Sequence, residues 1–453
     1  MYKEHIFREY DIRGVYQTDF DNDFAKNLGR AYASFLKTQQ GDTPTVSIGY
    51  DARLSSPSIA ESLIEGFLSS GVKVFNLGLI TTPMSYYSMF QLNLSGGIMV
   101  TGSHNPPEYN GFKLSMGKTT IFGEQIQELK GYLKNENFIS GSGAVESYDI
   151  SDEYVQRYNE EFTDLKKLNV VLDCGNGAAG AIVRRLYEAA GITPHILFEE
   201  PDGNFPNHHP DPTVEENVTD LKESVKERGA AIGIGFDGDA DRIGVVDEKG
   251  RFILGDEIMM VIARDILADN PGAKIIGDVK CSDRLYQDIE SKGGQGIMWK
   301  TGHSLIKNKI KAEKSPFGGE LSGHIFFSDR NYGYDDAPYA GLRLIEILGK
   351  TGKTIDELLE GIPKSFSTPE IRMETTEKNK VVLVKTLQEH FSTPEDGVLV
   401  NMIDGVRVSF SDGWALVRSS NTQPVITIRF ESHSEDGLNR IQNNMMELIN
   451  PLL

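Results

Sequence analysis

The chain has 453 residues, with 46 basic against 66 acidic side chains and a formal net charge of −20. That balance excludes nucleic acid and anionic membrane surfaces as partners, because both demand a basic face. With 39% hydrophobic and 25% charged residues the composition is globular, and the length suits three domains of ~150 residues or four smaller ones.

No run approaches the ~20 apolar residues of a membrane span, and the opening MYKEHIFREYDIRG lacks the apolar core of a signal peptide. Cys174 and Cys281 stand far apart without C-x-x-C spacing, so a reducing, cytoplasmic setting is expected. The acidity is uneven: residues 1–150 carry −4, 151–250 carry −11, 251–360 carry −2 and 361–453 carry −3. Either the second segment has a solubilising acidic surface, or some of its carboxylates hold a cation.

In chain order, residues 45–78 open with the apolar run TVSIGY, continue as an amphipathic stretch, break at Gly71 and end in VKVFNLG. This pattern predicts a β-α-β unit with parallel strands. It recurs at 169–198 and 273–299, which predicts three similar α/β domains. After the first unit, GGIMV (96–100) reads as a buried strand that ends at TGSHNPPEYNGFK (101–113). Ser103 then sits on a loop of Gly, Asn and Pro at a strand's carboxyl end, where α/β sheets bind ligands. His104 and Lys113 can supply charge or proton transfer, and a plain hydrophilic turn is the alternative. The loop lacks G-x-S-x-G, which disfavours a hydrolase nucleophile.

After the second unit, IGIGF leads into Asp237-Gly-Asp239-Ala-Asp241-Arg242. Three carboxylates separated only by Gly and Ala repel one another unless a hard cation joins them, and all-oxygen ligation favours Mg²⁺ or Mn²⁺. Arg242 can balance a carboxylate or grip a phosphate. An acidic surface turn is the alternative. In the third unit, DVKCS (278–282) precedes WKTGHSLIK (299–307), which places His303 at a strand end. That position is expected to match those of Ser103 and the Asp triad in the other two units. FGGELSGHIFF (317–327) follows, and on an extended loop Glu320, Ser322 and His324 share one side, a grip suited to vicinal hydroxyls.

The last ~85 residues read as strand, turn, strand, loop, strand and amphipathic helix, a small α+β domain with an antiparallel sheet. Its RSSNTQP (418–424) gathers Arg418, Ser419, Ser420, Asn421 and Thr422, a cation and hydroxyls suited to phosphate. Breaks near 140–151, 247–257 and 361–373 predict domains 1–150, 151–250, 251–365 and 366–453.

FREYDIRG, TGSHNPPEYNGFK, FDGDADR, GELSGH and RSSNTQP together resemble, in order, the signature segments of the α-D-phosphohexomutase superfamily, most nearly its bacterial phosphomannomutase/phosphoglucomutase branch. The resemblance spans residues 7 to 431. It implies a heart-shaped protein of three similar α/β domains with mixed sheets and a smaller, mobile α+β C-terminal domain around a central cleft. The implied reaction is reversible phosphoryl transfer between C1 and C6 of a hexose phosphate, through a phosphoserine and a hexose 1,6-bisphosphate that also serves as activator. Carried over by motif, Ser103 matches the phosphoserine, and Asp237, Asp239 and Asp241 match the Mg²⁺ ligands, with a phosphoserine oxygen completing the set. Glu320, Ser322 and His324 match the sugar-reading loop, and Arg418, Ser420, Asn421 and Thr422 the site of the phosphate that is not transferred. Tyr10, Arg13, His104, Lys113, Arg242, Lys280 and His303 match positions around the substrate, with Arg13 a candidate for contacting the transferring group. Lys113 and His303 are the candidates for proton transfer. The expected partners are sugar phosphates, and the chain is expected to be a monomer or a dimer.

Leu321 stands where phosphoglucosamine mutases typically carry Gln, and TGSHNP where they tend to read SASHNP. Both departures favour glucose and mannose phosphates, which differ only at C2. The alternatives are a phosphoglucosamine mutase, a Mg²⁺-dependent sugar phosphatase and a non-catalytic sugar-phosphate sensor. No G-x-G-x-x-G opens a helix, which disfavours a dehydrogenase. The net negative charge is set against Arg13, Lys113, Arg242, Lys280 and Arg418, so a cationic cleft in an acidic shell is expected, each segment supplying a positive group.

Overall fold

The computed structural model describes residues 2–394, 396–420 and 425–453. Each repeated unit begins with a strand whose apolar run is buried almost throughout: Thr45–Tyr50, Val170–Asp173 and Lys274–Asp278. Continuous burial suits a parallel strand covered on both faces. Each of these strands pairs in parallel with the second strand of its unit: Lys73–Leu79, His195–Leu197 and Gln295–Trp299. On its other side it pairs in parallel with a third strand, Gly96–Val100, Ile232–Phe236 or Phe317–Gly319. A fourth strand returns antiparallel to the third: Tyr109–Met116, Ile243–Asp247 or Ile325–Phe327. The same four-strand order therefore recurs in three mixed sheets, with additional edge strands in the first two. The second sheet runs on to Phe252–Ile253, past the break at 250 read from the sequence.

The link from third to fourth strand is the same topological position each time. It holds residues 101–108 in the first sheet, 237–242 in the second and 320–324 in the third. His303 does not share this position, contrary to the sequence reading. It opens the helix His303–Glu313, which follows the second strand and precedes the third, as the helix Thr82–Gln91 does in the first sheet. The third strand of the third sheet is only the Gly-rich Phe317–Gly319, too short and too poor in β-branched residues to be seen in sequence.

The fourth sheet is antiparallel, in the order Phe366–Ser367, Val425–Ser432, Gly413–Ser419, Val406–Phe410 and Leu399–Asn401, with Ile371–Glu374 also paired to Val425–Ser432. Helices Glu377–His390 and Glu435–Ile449 contribute Leu383, Leu387, Ile441 and Met445 to its separate core. The first of these helices and the short outer strands were not legible in the sequence. The second and third sheets share one apolar core, to which the helix Ala337–Thr351 contributes Leu342, Ile345 and Leu348. Asp336 caps that helix by accepting the Tyr339 N–H at 3.0 Å, and Tyr154 and Tyr158 donate to its carboxylate at 2.7 and 2.8 Å. Among the described residues no helix is long and apolar enough to cross a membrane.

Candidate active site

The three links meet. A Cβ on Gly238 would lie 2.5 Å from the Ser103 carbonyl oxygen, so only glycine lets the carboxylate loop approach the serine loop this closely. The Ile243 N–H donates to the Gly323 carbonyl at 3.0 Å, which ties the carboxylate loop to the Glu320–His324 turn. The Thr82 hydroxyl donates to Asp239 at 2.5 Å and the Thr82 N–H to its carbonyl at 2.9 Å, which fixes the carboxylate loop to the first sheet.

Ser103 is 2% exposed and adopts φ of +50°, a left-handed backbone unusual for a side-chain-bearing residue. Such strain costs of order 1–3 kcal/mol and persists only where the surroundings enforce it. Here Arg53, itself buried, donates to the carbonyls of Ser103 (2.7 Å), Asn105 (2.5 Å), Pro106 (2.5 Å) and Tyr109 (3.0 Å). Its Nε donates to Asp51 at 3.2 Å, and Asp51 also accepts from Thr101 Oγ1 at 2.8 Å and from the Gly102 N–H at 3.1 Å. Sequence reasoning missed this Asp51–Arg53 clamp. Its signal was the polar Asp-Ala-Arg directly at the carboxyl end of a buried parallel strand. The clamp leaves Ser103 Oγ donating to Asp237 Oδ2 at 2.9 Å, with His104 Nδ1 at 3.1 Å.

Asp237, Asp239 and Asp241 are fully buried, with carboxylate oxygens within 4.8 Å of one another. Lys113 donates to Asp239 at 2.7 Å and also to Asp241. Burial disfavours the Lys113 ammonium, but these carboxylates outweigh it and raise its pKa. Burial and the two neighbouring carboxylates hold Asp237 well above the usual range. With all three carboxylates ionised, one ammonium leaves two negative charges, and burial together with that excess is what raises Asp237. Asp239 Oδ1 is buried without a hydrogen-bond partner among the described residues, and Asp241 Oδ1 has only the His324 imidazole nearby, at 3.4 Å. An all-oxygen donor set with an orphaned buried oxygen fits a hard divalent cation.

Ser103 and Lys113 face a cavity of about 600 Å³. Tyr10, Arg13, Ser103, His104 and Lys113 from the first sheet's segment line it, together with Arg242 from the second. Lys280, His303, Glu320, Ser322 and His324 line it from the third, and Arg418 and Ser420 from the C-terminal segment. The three aspartates lie behind this wall. Asn421 and Thr422 lie outside the described residues. Seven Arg and Lys side chains face four carboxylates in the lining, so a cationic cavity sits in an acidic protein, and each segment supplies a cation. Arg8, Arg372 and Glu370 also line it and were not singled out from sequence.

Individual placements refine the sequence reading. Residues 320–324 form a tight turn with Gly323 at φ +83°, not an extended loop. The turn brings His324 Nδ1 to 2.8 Å from Glu320 Oε2, while Glu320 Oε1 accepts the Gly302 N–H at 2.5 Å. Gly302 has φ +136°, and a Cβ there would strike the Tyr10 ring at 2.4 Å. Tyr10 in turn donates to the Thr301 carbonyl at 2.8 Å. His303 stacks on His324 with ring centroids 5.5 Å apart. Burial and the Lys307 ammonium, 3.2 Å from Nδ1, hold the His303 pKa well below 6.5. Arg13 pairs with Asp11 at 2.7 Å and donates to Asn105 at 3.0 Å. Lys280 lies 3.4 Å from Glu370. Arg418 lies within the strand Gly413–Ser419, one residue before its end, instead of in a loop, and pairs with Asp404 at 3.1 Å.

The sequence matches all four domain families of phosphoglucomutase/phosphomannomutase: domain I over 4–140, II over 152–250, III over 254–366 and the C-terminal domain over 370–448. The chain belongs to the phosphoglucomutase/phosphomannomutase family. It is thus a phosphohexomutase, an enzyme of phosphoryl transfer. A phosphomannomutase/phosphoglucomutase of Pseudomonas putida is 47% identical over 97% of this chain and 94% of its own. A phosphoglucomutase of Neisseria gonorrhoeae is 42% identical over 98% of this chain and 96% of its own. A crystal structure of a phosphoglucomutase/phosphomannomutase family protein from Burkholderia thailandensis superposes with a TM-score of 0.92 at 42% identity, covering 100% of this chain and 98% of that one.

Proposed function

We propose that Ser103 carries a phosphoryl group and exchanges it between the C1 and C6 oxygens of glucose and mannose phosphates, by way of the hexose 1,6-bisphosphate. The observation that carries this reading is the opposition of two anion-handling ends in one cavity. Ser103, joined to the Asp triad at 2.9 Å, forms one end, and Arg418 and Ser420 line the cavity from the C-terminal sheet. A sugar bisphosphate has that polarity, and reversing it end for end gives isomerisation.

Asp237, Asp239 and Asp241 would hold Mg²⁺, which supplies charge neutralisation at the phosphorylated serine. Lys113, bonded to two of these carboxylates, adds a fixed positive charge beside the serine loop. Arg13, Arg242 and His104 border the transferring group. His303, buried and held neutral, takes the proton of the attacking sugar hydroxyl and returns it in the reverse step. Phosphoryl transfer has a loose transition state, so positioning and charge do most of the work. Glu320 keeps free lone pairs beside the Gly302 and His324 bonds, and with Ser322 it grips the C3 and C4 hydroxyls, which glucose and mannose present alike. The C-terminal sheet opens so that the bisphosphate can turn. Two buried, unpaired cysteines support a cytoplasmic setting.

The test is Ser103→Ala. It should abolish isomerisation of glucose 1-phosphate and mannose 1-phosphate, and remove the ~80 Da that one phosphate adds to the intact mass. A fully active variant overturns the assignment. Release of free phosphate without isomer formation by the wild type would instead indicate a phosphatase, and a preference for glucosamine 1-phosphate would move the substrate class.

A further inference from the structure

A second cavity, of about 520 Å³, lies between the first and third sheets, behind the helix His303–Glu313. One wall is aromatic: Phe90 lies 4.4 Å from Tyr332, which stacks on Tyr334 at 6.0 Å. Lys118, Lys307 and Lys311 also line it, and among the described lining residues there is no carboxylate. That is unusual in a protein of net charge −20. Neither Lys118 nor Lys311 has an ion-pair partner among the described residues, although Lys118 Nζ stands 5.0 Å over the Phe90 ring. Tyr86 also lines it, with Lys307 Nζ 4.1 Å over its ring.

We propose that this cavity binds a small planar aromatic anion and that its occupancy acts on the active site through Lys307. The ring stacks on Phe90 and Tyr332, and the negative group meets the lysines, an arrangement typical of small-molecule sites in size and lining. The link is the shared helix. His303 in its first turn faces the sugar-phosphate cavity, while Lys307, one turn on, faces the second. Lys307 lies 3.2 Å from His303 Nδ1 and 3.0 Å from Asp335 Oδ1. An anion that draws Lys307 toward itself removes the ammonium from beside the imidazole that we assign to proton transfer. Only this linkage rests on the proposed function; the binding does not.

The probe is anilinonaphthalene sulfonate, titrated by fluorescence into the full chain. Saturable binding is expected, weakened about tenfold by Tyr332→Ala and by the exposed double charge reversal Lys118→Glu/Lys311→Glu, with circular dichroism of both variants unchanged. Glucose 1-phosphate at saturation should not displace the probe. Isomerase assays should show kcat falling with probe while KM stays constant, and the charge-reversed variant, with ordinary basal activity, should resist this inhibition. Equal affinity in all three proteins, or competition by glucose 1-phosphate, overturns the site. Binding with an unchanged kcat overturns the linkage and leaves the phosphoserine reading untouched, since that reading is tested by mass and by Ser103→Ala.

Discussion

Two of the third sheet's junctions, with the second sheet and with the C-terminal sheet, are made of opposite materials. Against the second sheet it shares one continuous apolar core, in which Tyr187, Ile234, Ile262, Leu342 and Ile345 are fully buried. Against the C-terminal sheet it offers only a small apolar patch of Val279, Trp414 and Leu416. Most of that second junction is polar. Arg407 stacks on Trp414 at 3.7 Å and donates to the carbonyls of Val279 and, at 2.8 Å, Cys281, and to Asp283 at 2.7 Å. Arg429 donates to the Lys280 carbonyl, and Ser282 to Glu431 at 2.5 Å. Water can replace each of these bonds at a net cost of about 1 kcal/mol, whereas nothing in water replaces a buried leucine. The chemistry of the two junctions therefore holds the Asp237–Asp241 and Glu320–His324 loops in one rigid frame, and lets the strand that carries Arg418 part from it more easily.

The largest effect that sharpens this contrast lies in the shared core. Leu342→Ala should cost about 2–5 kcal/mol of unfolding free energy, in one cooperative urea transition. A loss under ~1 kcal/mol would mean that the second and third sheets do not depend on one another. Next comes Arg407→Ala, which leaves two carbonyls and a carboxylate without their donor. It should weaken docking of the C-terminal sheet by about 1–3 kcal/mol. Small-angle scattering should show a more extended particle, while the main unfolding transition shifts less than in Leu342→Ala. An unchanged scattering profile would show that the polar junction is as fixed as the apolar one.

The rigid frame was also the part most legible in sequence, and for the same reason. Strands such as Val170–Asp173 and helices such as Ser56–Ser69 follow from local apolar periodicity, which sequence displays. The chemical loops were legible because small residues such as Gly238 and Ala240 crowd around charged ones. What sequence hid was set by distance. Arg53 finds its carbonyls about fifty positions away, and Arg407 finds Val279 and Cys281 more than a hundred away. The equivalence of residues 320–324 to the other two loops depends on a three-residue strand, and His303 was put in its place because it follows a far clearer one.

A smaller effect probes the moving side directly. Arg418→Ala should raise KM for glucose 1-phosphate about tenfold while kcat changes less than about threefold, because the group binds ground state and transition state alike. Its partner Asp404 also accepts the Thr301 N–H at 3.0 Å, so Asp404→Ala should shift KM in the same direction by loosening the guanidinium. A fall confined to kcat would place Arg418 in the transfer step and remove it from the site of the resident phosphate.

The smallest effect concerns one ion pair across the polar junction. Glu370 lies 3.4 Å from Lys280, and although burial opposes its ionisation, Lys280 and then Arg372 hold its carboxyl down at about 2, against 4.5 for a free glutamate. A depressed carboxyl contributes stability that is fully present above the unfolded pKa and is lost as pH falls toward the folded one. Partial exposure limits that contribution to ~1 kcal/mol. Wild type should therefore exceed Glu370→Gln in urea midpoint at neutral pH, and the gap should narrow as the pH is lowered from about 5 to about 3. The narrowing should show in the C-terminal sheet, followed by Trp414 fluorescence, since that ring sits at the junction. A gap that stays constant with pH would mean that Glu370 acts by packing alone. The contrast between the two junctions would then rest on the hydrogen bonds of Arg407 and Arg429.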